Sequence, residues 1–237
     1  MDTIIFLHGA LGSSLSMIPL AERFSSDWNT RILSFNGHGE KAGQDVSFRI
    51  QDMALELNAF IVQEGLVDPV VFGYSMGGYV ALFHALQFPG RIRKIITLAT
   101  KFDWNEKTAA REAAQLDPDG IEQNIPAFAG KLRDQHGDHW KNVVKKTADM
   151  MLQLGAVPTL HASNLPEIKT PCMLCIGDQD RMVSQTETEW AARLLPNSSL
   201  QILEQTPHPL ERVSLEVLSG KIREFVGEGM QGHRDAG

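Results

Sequence analysis

The sequence has little cysteine, little positive charge and no long hydrophobic run. Two cysteines in 237 residues exclude the disulfide framework of a small secreted protein. Because 22 Lys and Arg face 29 Asp and Glu, the formal charge is −7, which argues against binding to a nucleic-acid backbone. No apolar run approaches the roughly 20 residues of a membrane span, and the first residues lack the basic region of a signal peptide. These absences predict a soluble cytoplasmic protein without a nucleic-acid partner and without a membrane span.

The length suits one large α/β domain, because single hydrophobic cores stop growing at about 250–300 residues. Short β-branched runs alternate with amphipathic stretches, the pattern of a mostly parallel sheet flanked by helices. Six segments are predicted strands: Thr3–Leu7, Arg31–Phe35, Pro69–Tyr74, Ile92–Ala99, Pro171–Ile176 and Ser199–Leu203. Five segments between them are predicted helices: Met17–Phe24, Phe48–Gln63, Met76–Phe88, Gln185–Leu195 and Leu210–Val226.

One region departs from this alternation. Between residues 101 and 169 no strand is predicted, and apolar residues from Trp140 to Leu154 recur at helical spacing. Another helix is predicted over Glu106–Leu116, where Asp117-Pro118 would stop it. We therefore predict a helical cap at 101–169, inserted into a core made of 1–100 and 170–226. The glycine-rich residues 227–237 are predicted to form a flexible tail.

The most informative motif is Gly73-Tyr74-Ser75-Met76-Gly77-Gly78. It follows an apolar predicted strand and precedes a predicted helix, which is the context that gives Gly-x-Ser-x-Gly its meaning. A sharp turn there would hold Ser75 in a strained conformation and expose its hydroxyl at the carboxyl edge of the sheet. The helix N-terminus behind it favours developing negative charge. The motif therefore predicts a nucleophilic serine.

Other polar groups follow further strands. His8-Gly9-Ala10 follows the first strand, and we expect the backbone N–H of Ala10 to pair with that of Met76 as an oxyanion hole. His8 itself is interpreted as a structural residue that holds this loop. Asp178 and Asp180 follow the fifth strand, and His208 follows the sixth.

Taken together, these motifs resemble the α/β-hydrolase superfamily over essentially the whole chain, including Asn36-Gly37-His38-Gly39 after the second strand. The chain order of serine, acid and histidine is the one expected for that architecture. The resemblance implies that Ser75 is the nucleophile, His208 the general base and Asp180 the acid that orients the imidazole. The family pattern selects Asp180 by its spacing from Gly177; Asp178 and Asp103 are the alternatives.

A serine nucleophile implies acyl transfer, so we expect hydrolysis of a carboxylic ester or thioester of a small apolar substrate. The cap would select substrates, and its apolar residues are candidates for the pocket wall or for its own core: Trp104, Phe128, Trp140, Met150 and Met151. A second hypothesis is a non-catalytic small-molecule receptor on the same fold.

A third hypothesis is cleavage of a carbon–carbon bond, by a hydrolase or by a lyase. The elbow and the His-Gly loop look like those of the menaquinone-pathway synthase branch, whose pattern continues with an arginine that helps bind a substrate carboxylate. Here that position is Tyr79. A tyrosine lacks the cationic fork that pairs with a carboxylate, so this hypothesis ranks below ester hydrolysis.

Two other groups of residues are interpreted as structural rather than functional. Cys172 and Cys175 lie three apart in a predicted strand, so they point to opposite faces and are read as buried core thiols. Four residues of the cap show no fixed metal-ligand spacing and are read as a polar loop: Asp134, His136, Asp138 and His139. The sequence implies no cofactor and no metal.

Overall fold

A computed structural model describes residues 1–227. Within this range one parallel six-stranded sheet has the spatial order β2-β1-β3-β4-β5-β6. All five strand pairs that form it are parallel. The strands are β1 Thr3–Leu7, β2 Asn29–Leu33, β3 Val70–Tyr74, β4 Lys94–Leu98, β5 Cys172–Gly177 and β6 Ser198–Leu203.

The helices alternate with these strands, as the sequence pattern predicts. Outside the 101–169 region they are α1 Ser14–Glu22, α2 Ile50–Gln63, α3 Met76–Gln87, α8 Gln185–Leu194 and α9 Leu215–Gly227. The predicted parallel sheet flanked by helices is thereby confirmed, with helices on both of its faces. Gly227, the first residue of the predicted tail, ends α9, and the rest of that tail lies outside the described residues.

The sheet separates two hydrophobic cores, one on each face. Ile5 and Val71 belong to the first core, and their strand neighbours Phe6 and Phe72 belong to the second. This alternation follows from the period of two along a strand. Cys172 lies in the first core and Cys175 in the second, and burial raises the pKa of both thiols to about 12. The interpretation of the pair as buried core thiols is confirmed.

The chain between β4 and β5 is entirely without strands. It forms α4 Glu106–Ala113, α5 Pro118–Asn124, α6 Pro126–His136 and α7 Trp140–Ala156. We call residues 101–169 the helical segment. It has a small core of its own, which contains Trp140 and Val144 of α7 together with residues of α5 and α6. Other residues of α7, including Met150 and Leu154, pack into the first core of the sheet.

The predicted helix over Glu106–Leu116 ends early, at Ala113. Asp117 follows the end of α4 and also caps the start of α5. Its carboxylate accepts hydrogen bonds from the backbone amides of Asp119 and Gly120. Pro118 takes the first position of α5, where the missing N–H costs nothing. No helix within residues 1–227 has the length and hydrophobicity to cross a membrane.

Candidate active site

Ser75 occupies a strained turn between β3 and α3. Its backbone angles are φ 49° and ψ −112°, a region that costs a non-glycine residue about 1–3 kcal/mol. The adjacent strand holds this conformation: the Ser75 amide donates to the Leu98 carbonyl at 2.7 Å. The Thr100 hydroxyl donates to the Ser75 carbonyl at 2.9 Å. The packed sheet therefore fixes the serine at the carboxyl edge of β3.

The two glycines that flank Ser75 are required by close backbone contacts. A Cβ at Gly73 would lie 2.3 Å from the backbone nitrogen of Gly78. A Cβ at Gly77 would lie 2.5 Å from the carbonyl oxygen of Leu7 in β1. Both distances are far below van der Waals contact with rigid backbone atoms, so α3 can start this close to the sheet only with glycine at these positions.

The loop after β1 lies directly beside this turn. A Cβ at Gly9 would be 3.3 Å from the Cβ of Ser75. Ala10 and Met76 are both among the residues that line the cavities around Ser75 described below. Across residues 1–227, neither amide donates a hydrogen bond to another group of the protein. Two unpaired N–H groups beside a serine are the donor arrangement that an oxyanion would require.

His8 is held as a structural residue, as the sequence analysis interprets it. Its Nε2 accepts a hydrogen bond from the Phe35 amide at 3.2 Å, so its Nδ1 carries the proton and donates to the Gly9 carbonyl at 2.8 Å. Burial lowers the pKa of His8 to about 4. A neutral imidazole with both nitrogens bonded to backbone groups fixes the loop.

His208 and Asp180 meet although 28 residues separate them. The distance from His208 Nδ1 to Asp180 Oδ2 is 2.7 Å. The other carboxylate oxygen, Oδ1, accepts from the amides of Met182 and Val183 at 2.8 and 2.9 Å. Burial opposes ionisation of Asp180, but the hydrogen bond and charge of His208 and these two amides outweigh it and lower its pKa. The ionised carboxylate keeps the proton on Nδ1, so Nε2 is free to accept one.

Two contacts that the sequence analysis missed position the His208 loop. The Tyr74 hydroxyl donates to the His208 carbonyl at 2.9 Å, and the two rings are 5.6 Å apart. Burial raises the pKa of Tyr74, as do the negative charges of Glu211 and Asp180, so the hydroxyl keeps its proton. Asp178 accepts from the Thr206 amide at 3.1 Å and thereby joins the loops after β5 and β6.

The other two candidate acids lie in different surroundings. Asp178 is exposed and bonds the backbone of Thr206 rather than an imidazole. Asp103 is also exposed, and its carboxylate accepts from the Asn105 side chain at 3.0 Å within the same loop. Of the three aspartates, the structure brings Asp180 to His208.

Two cavities meet at Ser75. The larger has a volume of about 550 Å³, within the range of small-molecule sites, and its lining includes His208. Apolar side chains dominate the rest of its wall: Leu11, Pro19, Leu116, Phe128, Leu132 and Leu210. The smaller cavity has a volume of about 40 Å³ and is lined by Ile50, Met76, Tyr79, Trp104, Met150 and Leu154.

The five apolar residues singled out in the helical segment divide between wall and core. Phe128 lines the larger cavity and Met151 lines both. Trp104 and Met150 line the smaller one. Trp140 lies in the small core of the segment, with 3% of its surface exposed.

His136 connects the helical segment to the loop beside Ser75. Its Nδ1 accepts from the Gly39 amide at 2.9 Å, and its Nε2 donates to the Leu11 carbonyl at 3.0 Å. Both ring nitrogens are therefore occupied by backbone groups. Among residues 1–227 no group of three or more His, Cys, Asp or Glu side chains has the geometry of a metal site.

The fold and this site define an α/β hydrolase. Residues 2–139 match the family model described as "alpha/beta hydrolase fold", and the chain belongs to that family. The curated relatives that it matches include enzymes, and the chain is an enzyme of the α/β-hydrolase class.

Individual relatives extend over nearly the full chain. A 2-succinyl-6-hydroxy-2,4-cyclohexadiene-1-carboxylate synthase of Serratia proteamaculans is 24% identical over 94% of this chain and 92% of its own length. The structure is similar to MenH from S. aureus, with a TM-score of 0.76, 22% identity and coverage of 96% and 94% of the two chains. It is also similar to a thermophilic esterase from Thermogutta terrifontis, with a TM-score of 0.75, 20% identity and coverage of 96% and 90%. At these identities the structural likeness shows a shared fold.

Proposed function

We propose that the protein is a serine hydrolase that cleaves a carboxylic ester or thioester of a small apolar substrate. Ser75 attacks the carbonyl carbon while His208 Nε2 takes its proton, and Asp180 stabilises the imidazolium that forms. The amides of Ala10 and Met76 stabilise the negative oxygen. His208 then gives the proton to the leaving oxygen or sulfur, and the acyl group stays on Ser75. A water molecule, deprotonated by His208, releases the acid and restores the serine.

The observation that carries the proposal is the convergence of three groups on one apolar cavity. Ser75, His208 and the loop of Ala10 all line the cavity of about 550 Å³, and Asp180 lies 2.7 Å behind the imidazole. A cavity whose wall is mostly apolar favours an uncharged substrate, because an ion would lose its hydration there without a partner.

The helical segment acts as the cap in this proposal. Its residues Leu116, Phe128 and Met151 supply one side of the cavity wall. The hydrogen bond from His136 to the Leu11 carbonyl attaches it to the oxyanion loop. Cap side chains that face the nucleophile would determine which substrates fit.

A lyase or carbon–carbon hydrolase is the second candidate, because the synthase of Serratia proteamaculans aligns over 94% of this chain. The charges around the cavities favour the ester instead. Lys101, beside the smaller cavity, lies 3.9 Å from Glu112 and 3.8 Å from Glu187. Lys131, beside the larger one, lies 3.9 Å from Glu211. Tyr79 is buried and accepts a hydrogen bond from the Leu160 amide at 2.9 Å. Among the described residues that line the two cavities, each lysine therefore has a carboxylate within about 4 Å.

Two assays test the proposal with the same pair of variants. A fluorophosphonate probe should label the wild type and not Ser75→Ala, and 4-nitrophenyl acetate should give a burst of nitrophenol only with the wild type. Ser25→Ala is the matched control, because Ser25 is exposed in the turn that follows α1 and lines neither cavity at Ser75. Its labelling and burst should equal those of the wild type.

The outcomes separate the hypotheses. Equal behaviour of wild type and Ser75→Ala in both assays would contradict the hydrolase and favour a receptor. Labelling of Ser75 without turnover of any ester or thioester, together with turnover of the substrate of the Serratia synthase, would favour the lyase.

A further inference from the structure

The site is divided into two compartments of very different size. Ala10, Ser75 and Met151 line both cavities, so the two meet at the serine hydroxyl and the loop beside it. The larger has about 550 Å³ and the smaller about 40 Å³. An ester that reacts at Ser75 has two arms, one on each side of the reacting carbonyl, and each compartment can take one of them.

The position of His208 decides which arm enters which compartment. His208 lines the larger cavity and is not among the residues that line the smaller one. In the reaction, the proton taken from Ser75 passes through His208 to the leaving oxygen as the bond from that oxygen to the acyl carbon breaks. The leaving alcohol must therefore start beside His208, on the side of the larger cavity.

The acyl substituent, on the other side of the carbonyl, then occupies the smaller compartment. Met76, whose amide is proposed to bind the negative oxygen, lines that compartment together with Trp104, Met150 and Leu154. A volume of about 40 Å³ is less than a tenth of that of the larger cavity and suits a substituent of about one or two carbons. The surrounding side chains are buried or half-buried in the packed first core, where extra methylenes force costly rearrangement.

We infer that the enzyme prefers esters in which a short acyl group, acetyl or propionyl, is joined to a bulky apolar alcohol. This inference rests on the proposed ester hydrolysis at Ser75 and specifies its substrate class. Met150 and its neighbours limit the acyl group, whereas the wall of the larger cavity, including Leu116 and Phe128, receives the alcohol.

Two ester series test the assignment in the wild type. With 4-nitrophenol as the constant leaving group, kcat/KM should be highest for acetate or propionate and fall about tenfold or more by hexanoate. With acetyl as the constant acyl group, kcat/KM should rise from methyl to butyl to octyl acetate. A decanoate preferred to the acetate, or acetates indifferent to the alcohol, would overturn the assignment.

Variants of each compartment make the test specific. Met150→Ala should raise the ratio of kcat/KM for butyrate to that for acetate about tenfold. Leu152→Ala, on the same helix but 47% exposed, is the matched control and should leave the ratio unchanged. Leu116→Trp should lower the ratio of kcat/KM for octyl acetate to that for methyl acetate about tenfold.

Failure of this inference is distinguishable from failure of the proposed function. A folded wild type that cleaves none of these esters contradicts the proposed ester hydrolysis, and the inference falls with it. Ester turnover that depends on Ser75 but is indifferent to acyl length in both the wild type and Met150→Ala contradicts only the assignment of the compartments.

Discussion

The sheet core and the helical segment contribute to the site in different ways. In the core, backbone atoms fix the side chains of the candidate site: the Ser75 amide donates to the carbonyl of Leu98, and the Asp180 carboxylate accepts from two amides. The helical segment contributes side chains of a cavity wall, such as Phe128 and Met151. It is joined to the core by the packing of α7 and by the two hydrogen bonds of His136. In the proposed function, chemistry depends on the core and substrate choice on the segment, and substitutions should separate the two.

Two glycine-to-alanine substitutions, one in the core and one in the helical segment, should differ most in their effects on stability and turnover. Gly77→Ala would place a methyl group 2.5 Å from the Leu7 carbonyl, so we expect loss of ester turnover and a destabilisation above about 4 kcal/mol. Gly130→Ala, within α6, meets no atom within 4 Å. It should stabilise the helix by about 0.5–1 kcal/mol. Thermal unfolding and 4-nitrophenyl acetate turnover measure both effects. A well-folded, active Gly77→Ala would show that the turn is not fixed by backbone packing.

Substitution of Asp180 should have the next largest effect. Asp180→Asn leaves the shape intact but no longer holds the proton on His208 Nδ1, so kcat should fall about 10²–10⁴-fold with unchanged stability. Asp178→Asn is the matched control, because an asparagine oxygen still accepts from the Thr206 amide. Its kcat should stay within about tenfold of the wild type. Equal losses in the two variants would remove the reason for choosing Asp180 as the acid.

Buried histidines of the core should make stability depend on pH. Burial lowers the pKa of His8 and of His84 from 6.5 to about 4. As pH falls, the unfolded chain binds protons first, so this stability is complete above about pH 6.5 and is lost toward pH 4. The free energy of unfolding should fall by about 2 kcal/mol per histidine between about pH 7 and pH 5.

His84 offers a direct control for that pH dependence. Neither of its ring nitrogens finds a hydrogen-bond partner among residues 1–227, so His84→Leu removes a titrating group without breaking a bond. Urea unfolding of this variant should show a pH dependence smaller by about 2 kcal/mol over the same interval. An unchanged slope would mean that His84 does not titrate on unfolding.

Tyr74 should affect turnover more than stability. Tyr74→Phe removes the hydrogen bond to the His208 carbonyl, and we expect kcat to fall about tenfold while the melting temperature changes little. Because the residue acts through His208, the pH profile of kcat should shift as well. A variant with an unaltered kcat and pH profile would show that the loop of His208 is positioned without Tyr74.

The smallest effect is expected where the helical segment meets the core at the surface. Lys131 of α6 lies 3.9 Å from Glu211, and the two side chains are 64% and 62% exposed. An exposed pair of this kind contributes at most about 0.5 kcal/mol. Lys131→Ala should therefore change the unfolding free energy and the turnover of an uncharged ester only slightly. A loss of turnover above about tenfold would assign this pair a role in holding the site.

The sequence predicts the core well because its signals are local. Every strand and the turn at Ser75 follow from apolar runs and from glycines in fixed places. The largest offset is in the last helix, predicted from Leu210 and observed from Leu215. Among the strands, the main error is at β2, predicted at Arg31–Phe35 and observed at Asn29–Leu33. As an edge strand it is mostly half-buried, so its apolar pattern is weak. Its position is determined by pairing with β1, where Thr3 aligns with Asn29, and local residues do not encode that register.

The helical segment is less predictable, for a physical reason. Its existence follows from the missing strands, but α5 and α6 are not recognised, because Asp117-Pro118 can end a helix as well as begin one. His136 appears in the sequence as part of a polar cluster, and its partners Gly39 and Leu11 are about 100 residues away or more. The cavities depend on such distant contacts, so their sizes are visible only in three dimensions.

The most direct test of the account is to trap the covalent intermediate on Ser75. Acid quenching during the burst with 4-nitrophenyl acetate, followed by mass spectrometry of the digested protein, should find one acetyl group on the peptide that contains Ser75. The adduct should be absent from Ser75→Ala. In Asp180→Asn it should form more slowly than in the wild type, in proportion to the lower turnover of that variant. Acetylation of another residue at the same rate, or ester turnover without any adduct on Ser75, would contradict the central claim.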